Sequence, residues 1–144
     1  MEKWTRWEPV SGLSGKYYLD SFAWSEKGFI VELIHAKKEE KVQVIFSNYI
    51  DAYRYTNESY YFKLFGDLSQ QYGDDFYADW SFFKITNSEY LVWLSEKSCT
   101  WSDQLHFVHF CIMGGDEVLD IVTNYEPQVT FMEYKPDVNI IEQA

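Results

Sequence analysis

The sequence predicts an α+β fold, mainly an antiparallel sheet of about six to seven strands with two helices. Three observations carry this reading: short runs rich in β-branched and aromatic residues, turn-forming residues between them, and two stretches whose apolar side chains recur at helical spacing. Lys16–Trp24 (KYYLDSFAW) and Phe29–Ala36 (FIVELIHA) read as paired strands, because the Ser25–Gly28 link (SEKG) suits a hairpin. Polar Lys37–Lys41 turns the chain into Val42–Phe46, where Val42, Val44 and Phe46 share one face and Gln43 and Ile45 the other. Asn48–Glu58 extends the sheet, with Tyr53 and Tyr55 on one face and Arg54 on the opposite one.

Asn57 next caps a helix over Ser59–Tyr72, in which Phe62, Phe65 and Leu68/Ser69 recur at helical spacing and which Gly73 stops. The run DDFYAD, Asp74 to Asp79, reads as a solvated acidic loop, and Trp80–Ile85 as a strand. Asn87 or Ser88 caps the second helix, Glu89–Lys97, whose Tyr90, Leu91, Trp93 and Leu94 make a broad apolar stripe and whose Lys97 complements the helix dipole. His106–Met113, Val118–Val122 and Gln128–Glu133 close the chain as strands, the first two joined by a Gly114-Gly115-Asp116 hairpin. Residues 1–134 form one expected globular domain, followed by a polar tail over 135–144.

Aromatic residues make up 20% of the 144 positions, and each buried ring removes about 150–250 Å² from water, so the core needs no staple. Cys99 and Cys111 are too few for a disulfide framework and fit buried thiols in a reducing compartment. The opening MEKWTRWEPV has no signal-like apolar core, and no run approaches the ~18 apolar residues of a membrane span, so a soluble cytoplasmic protein is expected.

Charge narrows the function. Residues 1–63 carry nine Lys/Arg against nine Asp/Glu, whereas residues 64–144 carry three against fourteen, so the whole net charge of −11 belongs to the second half. A negative field attracts cationic partners and repels nucleic acid and anionic lipid, so neither nucleic acid nor membrane is an expected partner. Phosphate chemistry is disfavoured as well, since no Gly-rich phosphate loop is present and Gly114-Gly115 runs into Asp116 and Glu117.

No catalytic constellation stands out, and no cofactor is expected. Cys99, His106, His109 and Cys111 lie close together, but on a strand His109 and Cys111 face one side and His106 the other, which is a poor geometry for zinc. A Cys–His nucleophile pair has no supporting spacing, and Asp74, Asp75 and Asp79 lack the Gly and Glu positions of a calcium loop. Cys111 is expected to be buried and unreactive.

Between Asp67 and Glu133 lie twelve carboxylates and only Lys84 and Lys97, interleaved with rings. Rings supply contact area and carboxylates accelerate encounter with a basic protein, so one continuous acidic surface is expected that includes several of Asp74, Asp75, Asp79, Asp103, Asp116, Glu117 and Asp120, with Tyr77, Trp80 and Trp101 as anchors. The opposing reading places the rings in the core and leaves the carboxylates to keep the protein soluble.

Five segments carry a family resemblance: Trp4-x-Arg6-Trp7-x-Pro9, Asp51-Ala52-Tyr53-Arg54, Tyr90-Leu91-x-Trp93, His109-Phe110-x-Ile112 and Glu126-Pro127-x-Val129. Over about residues 4–131 the chain resembles small bacterial immunity proteins, and their orphan relatives, from polymorphic contact-dependent toxin loci. The resemblance implies a cytoplasmic protein without chemistry of its own that blocks a toxin domain. Many such toxins are nucleases with basic grooves, which a carboxylate-rich inhibitor fits. Two other classes share these features: a nucleic-acid-mimicking inhibitor of a host protein, and a small-ligand-binding α+β domain with a concave polar pocket.

Overall fold

Among the described residues nine strands form, and the helical stretches fall between them. Some strands alternate in burial, as in Gly28–His35 and Glu40–Phe46, and others are buried nearly throughout, as in Val108–Met113 and Glu117–Thr123. The computed structural model describes residues 1–98 and 106–134. In chain order these form β1 (Lys3–Arg6), β2 (Tyr17–Ser25), β3 (Gly28–His35), β4 (Glu40–Phe46), β5 (Ala52–Asn57), a 3₁₀ turn (Glu58–Tyr61), α1 (Phe62–Tyr72), α2 (Asp75–Ala78), β6 (Phe82–Thr86), α3 (Glu89–Lys97), β7 (Val108–Met113), β8 (Glu117–Thr123) and β9 (Gln128–Glu133). Cys99, Trp101, Asp103 and the tail over 135–144 lie outside the described residues.

The strands pair antiparallel throughout, in a five-stranded sheet of order β1-β6-β7-β8-β5 and a four-stranded sheet of order β2-β3-β4-β9. The mainly antiparallel α+β architecture is therefore as the sequence implies. The strand count is higher than the expected six to seven, and the strands divide between two sheets. One added strand, β1, is a four-residue edge with only Trp4 buried, too short for a periodic signal. The β2–β3 hairpin closes at Ser25 opposite Gly28, as expected. Gly28 has φ +112°, and a Cβ there would lie 2.2 Å from the Phe46 carbonyl oxygen, so no side chain fits.

Both faces of the five-stranded sheet are covered. On one face Phe82, Phe110, Ile112, Leu119 and Ile121 pack against Phe29, Val31, Leu33, Val42, Val44 and Phe46 of the four-stranded sheet, making a dry core between two stacked sheets. Phe110 packs within it, with ring centroids 4.8 Å from Trp7 and 5.6 Å from Phe46. On the other face Trp4, Phe83, Ile85, Cys111, Met113 and Val118 meet Leu68 of α1.

The helices follow their local signals. Asn57 Oδ1 accepts the Ser59 N–H at 2.9 Å and starts the 3₁₀ turn leading into α1, and Gly73, at φ +98°, ends α1 with its N–H on the Ser69 carbonyl. The expected acidic loop holds the single turn α2, pinned by stacking of Phe76 on Tyr72 and of Tyr77 on Phe65. No helix among the described residues is long and apolar enough to cross a membrane.

Pairing of β1 with β6 and of β5 with β8 interleaves the two halves of the chain. The acidic second half is thus no separate side of the molecule. Arg6 pairs with Asp79 at 2.8 Å and Arg54 with Asp120 at 3.0 Å, each a first-half cation on a second-half carboxylate.

Candidate functional site

On the helix-covered face of the five-stranded sheet, alternation along β7 brings His109 and Cys111 to one side, and the register sets Cys111 opposite Asp120 of β8. Asn87, at φ +53°, turns the chain so that Ser88 caps α3, its Oγ accepting the Leu91 N–H at 3.2 Å. The Ser88 hydroxyl then donates to His109 Nδ1 at 2.6 Å, and His109 Nε2–H donates to Asp120 Oδ1 at 2.6 Å, the assignment in which every donor has an acceptor. Asp120 Oδ2 accepts from Arg54 Nε at 3.0 Å and from the Tyr61 hydroxyl at 3.4 Å. The Arg54 guanidinium lies 4.1 Å from the centroid of the Tyr90 ring.

Burial alone would raise the Asp120 carboxyl, but the hydrogen bond from His109, together with the charge and hydrogen bond of Arg54, holds it below the ordinary range. The same surroundings act oppositely on Cys111: burial first, then the charge and hydrogen bond of Asp120, push its thiol well above its usual value. A nucleophile needs an open approach. Ser88 and Cys111 are both enclosed, and the Ser88 oxygen is already committed to the helix cap. Cys111 is buried as expected, and the geometry gives this polar chain a positioning role, tying α3 to β7, β8 and β5.

Above this chain opens a trough of about 650 Å³ between α1 and α3. Trp4, Ile85 and Val118 supply its apolar floor, and Tyr60 and Trp93 stand at its rim with 83% and 50% of their surface exposed. A second hollow of about 470 Å³ shares Glu2, Trp4, Leu64, Asp67 and Glu89 with it and continues along α1 to Gln71.

The acidic residues expected to form one surface are distributed differently. Asp74, Asp75 and Asp116 are exposed, whereas Asp79 is paired with Arg6. Glu117 is half-buried, its carboxyl raised by burial and then by the charges of Asp116 and Glu58, and it shares a cleft of about 260 Å³ with Tyr77 and Lys16. Asp120 is buried and belongs to the internal polar chain, because its place on β8 faces the helices and its partners His109 and Arg54 lie there. Trp80 is half-buried, with its indole N–H on the Trp7 carbonyl, so it packs rather than projects. Asp103 and Trp101 lie outside the described residues. Lys16 donates from Nζ to the carbonyls of Tyr77 and Trp80, and burial lowers its pKa to about 8.

The trough residues Tyr60, Glu89 and Trp93 were not singled out as a site by sequence. For Trp93 the visible signal was the wide apolar stripe of α3, broader than burial against one neighbour needs, and Tyr60 and Glu89 carried none.

No family model matches the chain, and no solved structure matches it. A 63-residue stretch, 44% of the chain, is 38% identical to part of the DNA-directed RNA polymerase subunit beta'' of Welwitschia mirabilis. The chain spans 5% of that protein's length, so the likeness is local and assigns no family.

Proposed function

We propose that the chain is a non-catalytic, cytoplasmic immunity protein that binds a basic toxin domain and blocks it. The observation that supports this best is the exposure of large rings, Tyr60, Phe62, Tyr49 and Trp93 among them, on a protein of net charge −11. Exposed Tyr and Trp are the side chains that anchor protein interfaces, and the negative field steers a cationic partner toward them. Pairing of Asp79 and burial of Asp120 move the weight of recognition from an acidic strip to the aromatic rim.

Co-expression with the toxin domain of a neighbouring gene tests the reading. Cells making both proteins grow, and a purified complex associates rapidly at low salt but far more slowly near 1 M, where the Debye length is about 3 Å. Failure to protect against any such toxin overturns it.

A second reading rests on the trough itself, whose 650 Å³ lies within the roughly 300–1,000 Å³ of small-molecule sites. A metabolite that raises the melting temperature, and whose effect is lost on replacing Trp93 by Ala, would favour that reading over protein capture.

A further inference from the structure

We infer that the trough between α1 and α3 takes an extended segment of the partner protein, about six residues long, with a basic side chain against Glu2 and Glu89 and a carboxylate against Arg54. This rests on the proposal that the chain captures a protein, and it assigns the place and chemistry of capture.

Length is the first argument. The floor is built from all five strands of one sheet: Arg54 of β5, Asp120 of β8, His109 of β7, Ile85 of β6 and Trp4 of β1. Five neighbouring strands give four spacings of ~4.8 Å, so the trough crosses about 19 Å, the reach of about six extended residues at ~3.3 Å each. The second hollow prolongs it at the β1 end.

Polarity is the second. At the β5 end Arg54 gives its Nε to Asp120, while its two Nη groups have no hydrogen-bond partner among the described residues. At the β1 end Glu2 accepts from the Glu89 N–H and the Trp4 indole, both neutral donors, and neither Glu2 nor Glu89 has an ion-pair partner among the described residues. Lys63, in the wall, pairs with Asp67 at 3.0 Å and also feels the charge of Glu89, so one cation stands against the three carboxylates Glu2, Asp67 and Glu89. The trough therefore offers donors at one end and a net negative charge at the other, which complements a segment carrying opposite charges at its two ends.

Preorganisation is the third. Ser88, His109, Asp120 and Arg54 hold the floor through hydrogen bonds, so little ordering is left for binding, and Tyr60 and Trp93 flank the path as anchors.

The test is a ¹H–¹⁵N titration of the full chain with a capped hexapeptide bearing arginine first, glutamate last, and tyrosine and glycine between. Saturable shifts are expected at the Trp93 indole and at the amides of Arg54, Lys63 and Glu89. The same residues rearranged with arginine and glutamate adjacent should bind at least several-fold more weakly. Glu89→Lys, at an exposed position, should weaken the first peptide about tenfold while leaving the unbound spectrum otherwise unchanged, and Trp93→Ala should do the same by loss of an anchor. Absence of saturable shifts in the trough, equal binding of the rearranged peptide, or wild-type affinity in both variants overturns the inference. If a toxin is neutralised equally well by the wild type and by Glu89→Lys, the trough is not the capture site although the immunity reading stands. Peptide binding without any protected toxin supports the trough and retires the toxin.

Discussion

The two faces of the five-stranded sheet are built from the same strands, yet they differ in almost every physical respect. One is dry at its core: Phe82, Phe110, Ile112, Leu119 and Ile121 meet the second sheet, and Lys84, which shares that face, stands at its edge, its ammonium 5.6 Å from the Phe110 ring and paired with Glu126. On the other face, the neighbouring residues His109, Cys111 and Asp120 combine with Ser88 and Arg54 into a hydrogen-bonded chain under an open trough. A strand's period of two lets one segment serve both purposes, stability from one face and a polar, accessible surface from the other. The helices complete the division, because α1 and α3 cover the second face without closing over it.

Breaking the dry face should have the largest effect. Phe110→Ala removes a fully buried ring and should cost about 3–5 kcal/mol in a denaturant titration. On the polar face Asp120→Ala should cost about 2–3 kcal/mol, because it leaves the buried His109 Nε2–H without an acceptor, while the orphaned Arg54 side chain already reaches solvent.

Asp120 also predicts a pH dependence. Its carboxyl is held below 3.8 in the folded protein, so the stability it contributes is complete above that value and fades as pH falls through the lower folded one. Asp120→Asn should therefore flatten the acid limb of the stability curve below pH 4. An unchanged limb would show that the polar chain does not couple to folding.

Ser88→Ala tests the hinge of the polar face, since it removes both the cap of α3 and the bond to His109; a loss of about 1–2 kcal/mol is expected. Lys16 ties the start of β2 to the carbonyls of Tyr77 and Trp80, where the helix layer meets the strands. Its pKa falls from 10.5 to about 8, so between those values Lys16 binds more protons in the unfolded chain than in the folded one, and its own contribution makes stability rise with pH by up to about 1.4 kcal/mol per unit, against the fall contributed by the raised Cys111 thiol. Lys16→Met should abolish that rise. The smallest effect is expected from Asp74→Lys with Asp75→Lys, which lie on neither face: stability should stay within about 0.5 kcal/mol, while association with a basic partner slows.

How much of this was legible beforehand varies by element. The helix Glu89–Lys97 and the strand Gln128–Glu133 carry strong local patterns and lie where the sequence places them. The β2–β3 hairpin is equally legible, because a glycine is required at position 28. Edge strand β1 and the short turn α2 were not, since Trp4 and Phe76 draw their burial from distant partners such as Phe83, with centroids 5.8 and 5.1 Å away. The opposed faces of His109 and Phe110 followed from alternation, but which face would be dry depended on the sheet that packs against it.

For the site, proximity in sequence misled. Asp74, Asp79, Asp116 and Asp120 read as one acidic surface because they are near one another along the chain, and their environments proved to be solvent, an arginine, solvent and a buried histidine respectively. Local propensity and period are properties of neighbouring residues, and so most of the strands, the helix caps, the hairpin turns and the alternation of faces could be read from the chain alone. Strand order joins residues that are far apart in the chain. It took the packed fold to place β5 beside β8 and β1 beside β6, and thereby to bring Arg54 to Asp120, to interleave the neutral and acidic halves, and to leave a trough between α1 and α3.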